Sequence, residues 1–384
     1  MKERETKTPD TSTAKSSSQS AGDKPVSVMQ RRWRKFKSIK RGYYSFWILI
    51  VMYILSFLLP VLVNNKALIV HHDGETYFPA LRDLIGLSSY YSGEQFGQTS
   101  AVQGNEANYR DLQDQFEAEG GDNWVVMPLY PFGPIENLSL EENQVFAAPF
   151  ESKNNSRPRL LGTDDVGRDV FSRMAYGFNV SISFALIVAI FAYLIGVPFG
   201  ALSGYFGGWI DILLQRVVEI WLALPFLFLI IIVVALLGPS FTLLVSLLAA
   251  FGWLSVSILM RAEFYREKSM DYVAAAVSIG VPTHKILLKH ILPNALVPII
   301  TYFPFAIVAG ITQLVSLDFL GFGLPPPAPS WGQMVGVGLK YITTGYWWLV
   351  LAPLTAMFMT LLLTVFIGEG VREAYDPKTF SRLR

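Results

Sequence analysis

The stretch DYVAAAVSIGVPTHKILLKHILPN, Asp271–Asn294, decides how this chain is read. It is polar and helix-forming, and it lies between two long apolar runs. A chain that is 52% hydrophobic and 16% charged has little reason to place a structured, mixed-charge segment there unless something docks on it. Gly280-Val281-Pro282 interrupts the segment. The interruption predicts a helix over Met270–Ile279, a turn at Gly280, and a second helix with Pro282 in its first turn. That second helix is expected to end before Pro293, because proline cannot continue a regular helix. Ile286, Leu287 and His290 form a mostly apolar stripe along it. Residue physics leaves two readings open. The helix docks in a groove on a partner protein, or it lies on the lipid surface.

Outward from this segment, the charge distribution sets the class. Residues 174–210, 220–260, 291–317 and 341–368 contain no charged side chain. A hydrocarbon core about 30 Å thick needs roughly 20 apolar residues per helix. Tyr43–Val63 supplies one span and Phe178–Gly204 a second. The run from Ile220 to Met260 is too long for one span, and Gly238-Pro239-Ser240 is a turn signal within it. It divides into spans at Asp211–Leu237 and Phe241–Met260. Ala295–Leu317 and Trp347–Gly368 complete a set of six. The expected fold is an all-α polytopic membrane protein with six transmembrane helices, cytoplasmic coupling helices and a loop-rich external insertion.

Orientation follows from the placement of Lys and Arg. Arg31, Arg32, Arg34, Lys35, Lys37, Lys40 and Arg41 precede the first span with no acid among them. This places the N-terminus in the cytoplasm. Six spans return the C-terminus, with Arg372, Lys378, Arg382 and Arg384, to the same side. The same alternation makes 261–294 cytoplasmic, in agreement with its Arg261, Arg266, Lys268, Lys285 and Lys289. The loops at 65–173 and 318–346 are then external.

The expected organisation is a disordered basic cytoplasmic tail at 1–42, a first transmembrane helix at 43–64, an external insertion at 65–160, and a five-helix transmembrane domain at 161–384 with the loop 261–294 inside it. The tail is rich in Ser, Thr and Lys and poor in apolar residues. The first span reads as a retained anchor, being too long for a signal-peptide core and lacking a small-residue cleavage site. The insertion is rich in Tyr, Pro, Gly, Asn and acids, with weak hydrophobic alternation and a short helix expected at Asn108–Ala118. Its Asn-x-Ser triplets at Asn137 and Asn154 are chance matches in a bacterial host. His71-His72-Asp73 reads as a solvated polar turn, since nothing supplies the remaining ligands of a metal site. The chain has no cysteine, which excludes disulfides and thiolate metal sites. A net charge of +1 does not suggest nucleic acid. The Arg31–Arg41 cluster reads as positive-inside topology or as contact with anionic lipid.

Catalytic and nucleotide-binding signatures are missing. No Gly-x-x-x-x-Gly-Lys-Ser/Thr, Gly-x-Ser-x-Gly or His-Glu-x-x-His pattern occurs, so the chain has no P-loop of its own. Gly162-Thr163-Asp164-Asp165-Val166-Gly167-Arg168-Asp169 lacks the twelfth-position Glu of a calcium loop. It reads as a structural cap for the second span, with Arg168 paired to a neighbouring carboxylate. Asp211, Arg216 and Glu219 lie at the shallow cytoplasmic end of the third span, and Arg216 can pair with Glu219 at i, i+3. An interfacial role outweighs an ion path there. Gly196, Pro198, Gly200, Gly204, Gly207 and Gly208, with Pro225, Pro304 and Pro353 inside later spans, predict close helix packing and bending.

The central segment resembles the EAA loop of binding-protein-dependent ABC importers. That loop reads Glu-Ala-Ala, three residues, Gly, nine residues, Ile, one residue, Leu-Pro. Here Ala274-Ala275-Ala276, Gly280 and Leu292-Pro293 keep the spacing. Ala274 replaces the Glu, and His290 occupies the Ile position, as in the dipeptide/oligopeptide/nickel branch, whose version closes His-x-Leu-Pro-Asn like His290–Asn294. The resemblance continues through Leu161-Gly162-Thr163-Asp164 and Gly167-Arg168-Asp169, through Gly321-Phe322-Gly323-Leu324 with Pro326, Pro327, Pro329, Ser330, Trp331 and Gly332, and through Gly368-Glu369-Gly370-Val371-Arg372 with Asp376-Pro377. These match the second, C-type permease subunit of the branch in order over about 160–380. The enlarged first loop is similar to that of the oligopeptide and microcin C importers.

The resemblance implies an import permease of the bacterial inner membrane that works by alternating access. Its partners would be a second permease, two ABC ATPase subunits and an external solute-binding protein, with membrane lipid around it. ATP and Mg would be bound on the partner ATPases and no cofactor by this chain. Coupling would run through Tyr272, Ala274, Ala275, Ala276, Gly280, Lys285, His290, Leu292, Pro293 and Asn294. Gly162, Thr163, Asp164, Gly167, Arg168, Asp169, Trp331 and Gly332 would be interface or structural positions. Peptide cargo rests on the resemblance alone. The alternative is an ATP-independent secondary transporter or channel, which would need midplane sites and commonly inverted repeats.

Overall fold

The computed structural model describes residues 28–84, 91–98, 106–136, 145–151 and 157–375. Residues 1–27 of the tail expected at 1–42, Asn137, Asn154 and the C-terminal stretch with Asp376 and Pro377 lie outside them; from Val28 on, the expected disordered tail is instead helical. The chain begins with α1 (Val28–Ser38), turns at Ile39 into α2 (Lys40–Ser56), and continues as the short α3 (Leu59–Leu62). Gly42 lets α2 cross the last long helix at close range: a Cβ there would lie 3.0 Å from the Cα of Gly370.

The described part of the insertion at 65–160 holds regular structure that its composition does not suggest. β1 (Ile69–His72), β2 (Glu75–Tyr77) and, after α4 (Pro79–Leu84) and α5 (Tyr109–Glu119), β3 (Trp124–Val126) form an antiparallel sheet in the order β2-β1-β3. His71 and His72 are strand residues. The turn is Asp73-Gly74, both at positive φ, which is the geometry a two-residue hairpin demands. His72 stacks on Phe116 with ring centroids 5.4 Å apart, so it packs a core and does not face water as a polar turn. Asn108 caps α5, accepting from the backbone of Arg110 and Asp111, and Gly120 ends the helix in the left-handed conformation. A buried Arg110–Glu136 pair, shared with the Pro131 carbonyl, closes the insertion.

The membrane part follows as α6 (Val170–Phe206), α7 (Gly208–Ala223), α8 (Phe226–Leu237), α9 (Phe241–Lys268), α10 (Asp271–Ser278), α11 (Thr283–Lys285), a π-helical turn (Ile286–Ile291), α12 (Leu292–Phe319), α13 (Trp331–Tyr341) and α14 (Trp348–Tyr375). Among the described residues, four helical runs are long and apolar enough to cross a membrane: Val170–Phe206, Phe241–Lys268, Thr283–Phe319 and Trp348–Tyr375. The expected third span is a bent pair, α7 and α8, with 71° between them. Pro225, expected inside a helix, instead breaks one. A proline pushes the residue before it out of the helical region, and Leu224 is extended at ψ 125.

α6 and α9 form the central contact, and a stripe of small residues sets its distance. A Cβ on Gly196, Gly200 or Gly204 would lie 2.7, 2.3 and 2.5 Å from the carbonyl oxygens of Trp253, Ser257 and Arg261. In a bilayer, helix association depends on such close packing more than on burying apolar area. Outside this seam, Phe184, Leu244, Leu248 and Leu317 fill the core between α6, α9 and α12. The Arg216–Glu219 pair forms at 2.5 Å. Asp211, by contrast, reaches across to α9 and takes two hydrogen bonds from Arg261, at 2.7 and 2.6 Å. This ties the start of α7 to the end of α9.

Candidate coupling site

The segment Asp271–Asn294 folds as a hairpin of helices projecting from the ends of α9 and α12. Asp271 opens α10, where a carboxylate favours the helix N-terminus. α10 closes in a Schellman motif. The Val281 N–H donates to the Ala276 carbonyl and the Gly280 N–H to the Val277 carbonyl, each at 3.0 Å, with Gly280 at φ +76. Glycine is required here by its conformation and not by crowding, because an added Cβ would meet nothing within 4 Å.

The second arm does not end before Pro293. α11, the π turn and α12 run on as one helix, Thr283–Phe319. A proline ring clashes with the carbonyl four residues back in a regular α-helix. The widened turn takes up that conflict: the Leu292 N–H bonds to Leu287, five residues back, immediately before Pro293. The second arm of the hairpin is therefore continuous with the fifth expected span.

Burial divides the hairpin into two faces. Val273, Ala276, Ile286 and Ile291 pack with Val256, Met260 and Phe264 of α9 and with Ala295 and Ile299 of α12. The Ile286, Leu287 and His290 stripe thus turns inward, with Ile286 buried and the other two half-buried. The outward apolar face is carried by Val277 (56% exposed), Ile279 (80%) and Leu288 (62%), residues the periodicity argument does not single out. Ala274, Ala275 and Lys285 share this exposed side, and Tyr272 borders it, while Ala276 lies underneath. Leu292 is half-buried, and Pro293 and Asn294 are exposed at the root.

A hydrogen-bond chain ties the root together. The Tyr272 hydroxyl donates to Glu267 Oε2 at 2.7 Å, and Asn294 Nδ2 donates to the Tyr272 hydroxyl at 3.3 Å and to the His290 carbonyl at 3.2 Å. Partial burial, then the Glu267 carboxylate, holds the Tyr272 hydroxyl above the ordinary phenol range. The chain joins α9, α10 and α12 at one point. Tyr272→Phe removes it while keeping the ring, and is expected to cost about 1–2 kcal/mol. The check is the thermal unfolding midpoint in detergent, which should fall while membrane insertion is unchanged.

The other singled-out residues meet at the end of the bundle opposite the hairpin. Gly162, at φ +73, lies so close to the insertion that a Cβ would come 2.2 Å from the Ala147 carbonyl oxygen. Thr163 accepts the Ala147 N–H through its Oγ1 at 2.8 Å. Asp164 accepts from the backbone of Val166 and Arg168 and from Arg168 Nε at 2.8 Å, with Gly167 at φ +78 making the turn. Asp169 caps α6 by accepting the Ser172 N–H at 2.8 Å and also accepts the Tyr130 hydroxyl at 2.8 Å. Burial pushes its carboxyl pKa up, against the pull of the Ser172 and Tyr130 donors. Asp169→Ala should cost about 1–2 kcal/mol for the cap and leave Tyr130 without its acceptor. Faster proteolysis of the external insertion would report this, with Asp169→Asn close to the wild type.

Trp331 is fully buried and donates to the Met174 carbonyl at 3.0 Å. Gly332 lets α13 meet α12, where a Cβ would lie 2.3 Å from the Val315 carbonyl oxygen. Asp318 gathers the Pro-rich loop by accepting from the Leu324 N–H and the Ser330 hydroxyl. An open cavity of about 570 Å³ lies between these elements, lined by Asp164, Arg168, Arg173, Asp318, Gln333 and Lys340 among others. No cluster among the described residues could hold a metal ion.

A bundle of long apolar helices with a bent span and a rigid polar hairpin at one end defines a multi-pass membrane component of a transport machine. The comparisons with known proteins agree. Residues 196–381 match the family described as binding-protein-dependent transport system inner membrane component. The chain is 39% identical over 352 residues to the inner membrane ABC transporter permease protein YejE of Escherichia coli (strain K12), covering 91% of this chain and 97% of that one. It is 37% identical over 373 residues to the peptidoglycan transport system permease protein YejE of Agrobacterium fabrum, covering 91% and 93%. It is 36% identical over 225 residues to the dipeptide transport system permease protein DppC of Bacillus subtilis, covering 58% and 70%. The chain belongs to the inner membrane components of binding-protein-dependent transport systems, the permeases of ABC importers.

Proposed function

We propose that this permease forms half of a translocation pathway for peptides or peptide-like solutes and is driven through the Asp271–Asn294 hairpin by ATPase subunits on the cytoplasmic side. The observation that carries the reading is the two-faced hairpin. Its inner face is packed onto α9 and α12, and its outer face presents Val277, Ile279 and Leu288. A force applied to that outer face passes directly into two spans, since α12 continues from the hairpin without a hinge. Such a surface suits a groove on a partner protein.

The full assembly would contain a second permease, two ATPases that bind ATP and Mg, and a solute-binding protein outside. This chain brings no P-loop and would leave hydrolysis to its partners. The Pro-rich loop anchored by Asp318 and the β1–β3 insertion would face the binding protein. Both termini would be cytoplasmic: the Arg31–Arg41 cluster supports this for the N-terminus, and six spans would return the C-terminus to the same side. The peptide class is supported by the names of the relatives, which concern dipeptide transport in one case and peptidoglycan transport in another.

Reconstitution tests the reading. Proteoliposomes holding both permeases and the ATPases should take up a labelled oligopeptide only with ATP inside and the binding protein outside. Uptake without ATP or ATPases would overturn the ATP-driven reading. ATP- and binding-protein-dependent uptake of a solute without a peptide bond, with peptides excluded, would overturn the cargo.

A further inference from the structure

We propose that the groove enclosed by α1, α2, α12 and α14 is a site for one anionic phospholipid of the inner leaflet, with an acyl chain between the helices and the phosphate against the basic flank of α1. The groove has a volume of about 550 Å³ and an almost wholly apolar lining that includes Phe36, Ile50, Phe303, Ile307 and Ile367. An apolar slot of this kind between spans suits hydrocarbon. What selects the headgroup is its cytoplasmic end.

α1 forms the roof there. Met29, Arg32, Trp33 and Phe36 follow the i, i+3, i+4, i+7 spacing of one helical face, and all four line the groove. The helix is fixed in that orientation. The Phe36 ring is buried over the Gly42–Gly370 crossing, and the Arg32 guanidinium lies 4.6 Å above the Tyr375 ring. Of the exposed Arg31, Arg34, Lys37, Lys40 and Arg41, Lys37 reaches this end, its Nζ 5.8 Å from the Trp33 ring centroid, beside the groove-lining Arg32. Among the described residues none of the five is in an ion pair, unlike the arginines of the external turn and of α9. A hydrocarbon slot with Arg32 and Lys37 at its mouth matches a lipid with a negative headgroup, and each nearby Lys or Arg strengthens that attraction. Positive-inside topology explains the charges but not the built slot beside them.

The inference rests on the cytoplasmic placement of α1 proposed above, so the test separates the two. The chain has no cysteine. Ser38→Cys should therefore be the sole target of a membrane-impermeant maleimide, and should react only after the inner membrane is opened. Reaction from the external side would sink both the topology and the lipid site.

The lipid is read separately, on the full assembled complex in nanodiscs of phosphatidylglycerol and phosphatidylethanolamine in equal parts. Native mass spectrometry after release should find phosphatidylglycerol retained with about tenfold or greater preference. Arg32→Gln/Lys37→Gln, at the mouth, should remove the preference but not the binding. Ile50→Trp, which fills the slot, should remove both. A benzoylphenylalanine in place of Trp33, an aromatic that already lines the groove's mouth, should cross-link to lipid. Equal retention of the two lipids by the wild type, retention unchanged in Ile50→Trp, or cross-linking to a protein subunit would each overturn the proposal.

Discussion

An Ile279→Asp chain is expected to insert and fold like the wild type and to lose its ATPase partner. Ile279 is 80% exposed at the tip of the hairpin, so the substitution removes almost no internal contact. In an assembled complex the same residue would be the centre of an apolar contact flanked by Val277 and Leu288. Burying a carboxylate there without a partner is strongly unfavourable. Loss of a central interface anchor typically costs about 2 kcal/mol or more, which is about thirtyfold in affinity. Co-purification of the ATPases should fall by at least that factor, with transport lost and the melting midpoint unchanged. Ile279→Val should be nearly silent. With Ala274 in the position where the family pattern has Glu, no charge on that side chain supplements this apolar contact.

Gly200→Leu should have the opposite signature, in which the chain fails before any partner matters. Gly200 is buried where α6 crosses α9, and even one added carbon would lie 2.3 Å from the Ser257 carbonyl oxygen and 2.7 Å from Met260 Cβ. Two of the three nearest atoms are backbone, so nothing can rotate away. The helices must separate, which disrupts the seam shared with Gly196 and Gly204. Overpacking a tight core typically costs about 1–3 kcal/mol, and more where backbone has to move. The protein should appear at much lower level in the membrane and melt earlier in detergent. Gly252→Leu, where the one nearby atom is the Ala192 Cβ at 3.2 Å, should be milder.

Four of the six expected spans are readable from the sequence as single long helices, because charge-free runs of bilayer length rarely arise outside membrane helices; the third is a bent pair and the first is the 17-residue α2 followed by α3. The family is readable from the Gly280-to-Pro293 spacing. The helix break at Gly280 is also readable, since a left-handed helix end needs glycine. Two local features point the other way. Pro293 looks like a stop, but a π turn absorbs it, and register changes of that kind leave no simple mark in residue type. Ile286 looks like a docking residue, but α10 packs across the second arm and buries it. Facing depends on tertiary phase, which a short segment does not encode. Asp73-Gly74 is a signal that composition hid, because it is a strong two-residue hairpin turn in the strand-forming stretch from Ile69 to Tyr77. The Glu267–Tyr272–Asn294 chain and the Asp211–Arg261 pair join residues distant in sequence, and no spacing rule reaches them.

The central claim is that the outer face of the hairpin meets the ATPase. It is tested most directly by single-cysteine cross-linking in this otherwise cysteine-free chain. Cysteine at Ile279 or at Leu288, paired with a scan of single cysteines on the ATPase, should give cross-links in the assembled complex that change in yield with ATP. Cysteine at Leu236, 78% exposed at the far end of α8, should give none. Cross-links from 279 and 288 that reach only lipid or another permease, with the ATPases present and active, would contradict the account.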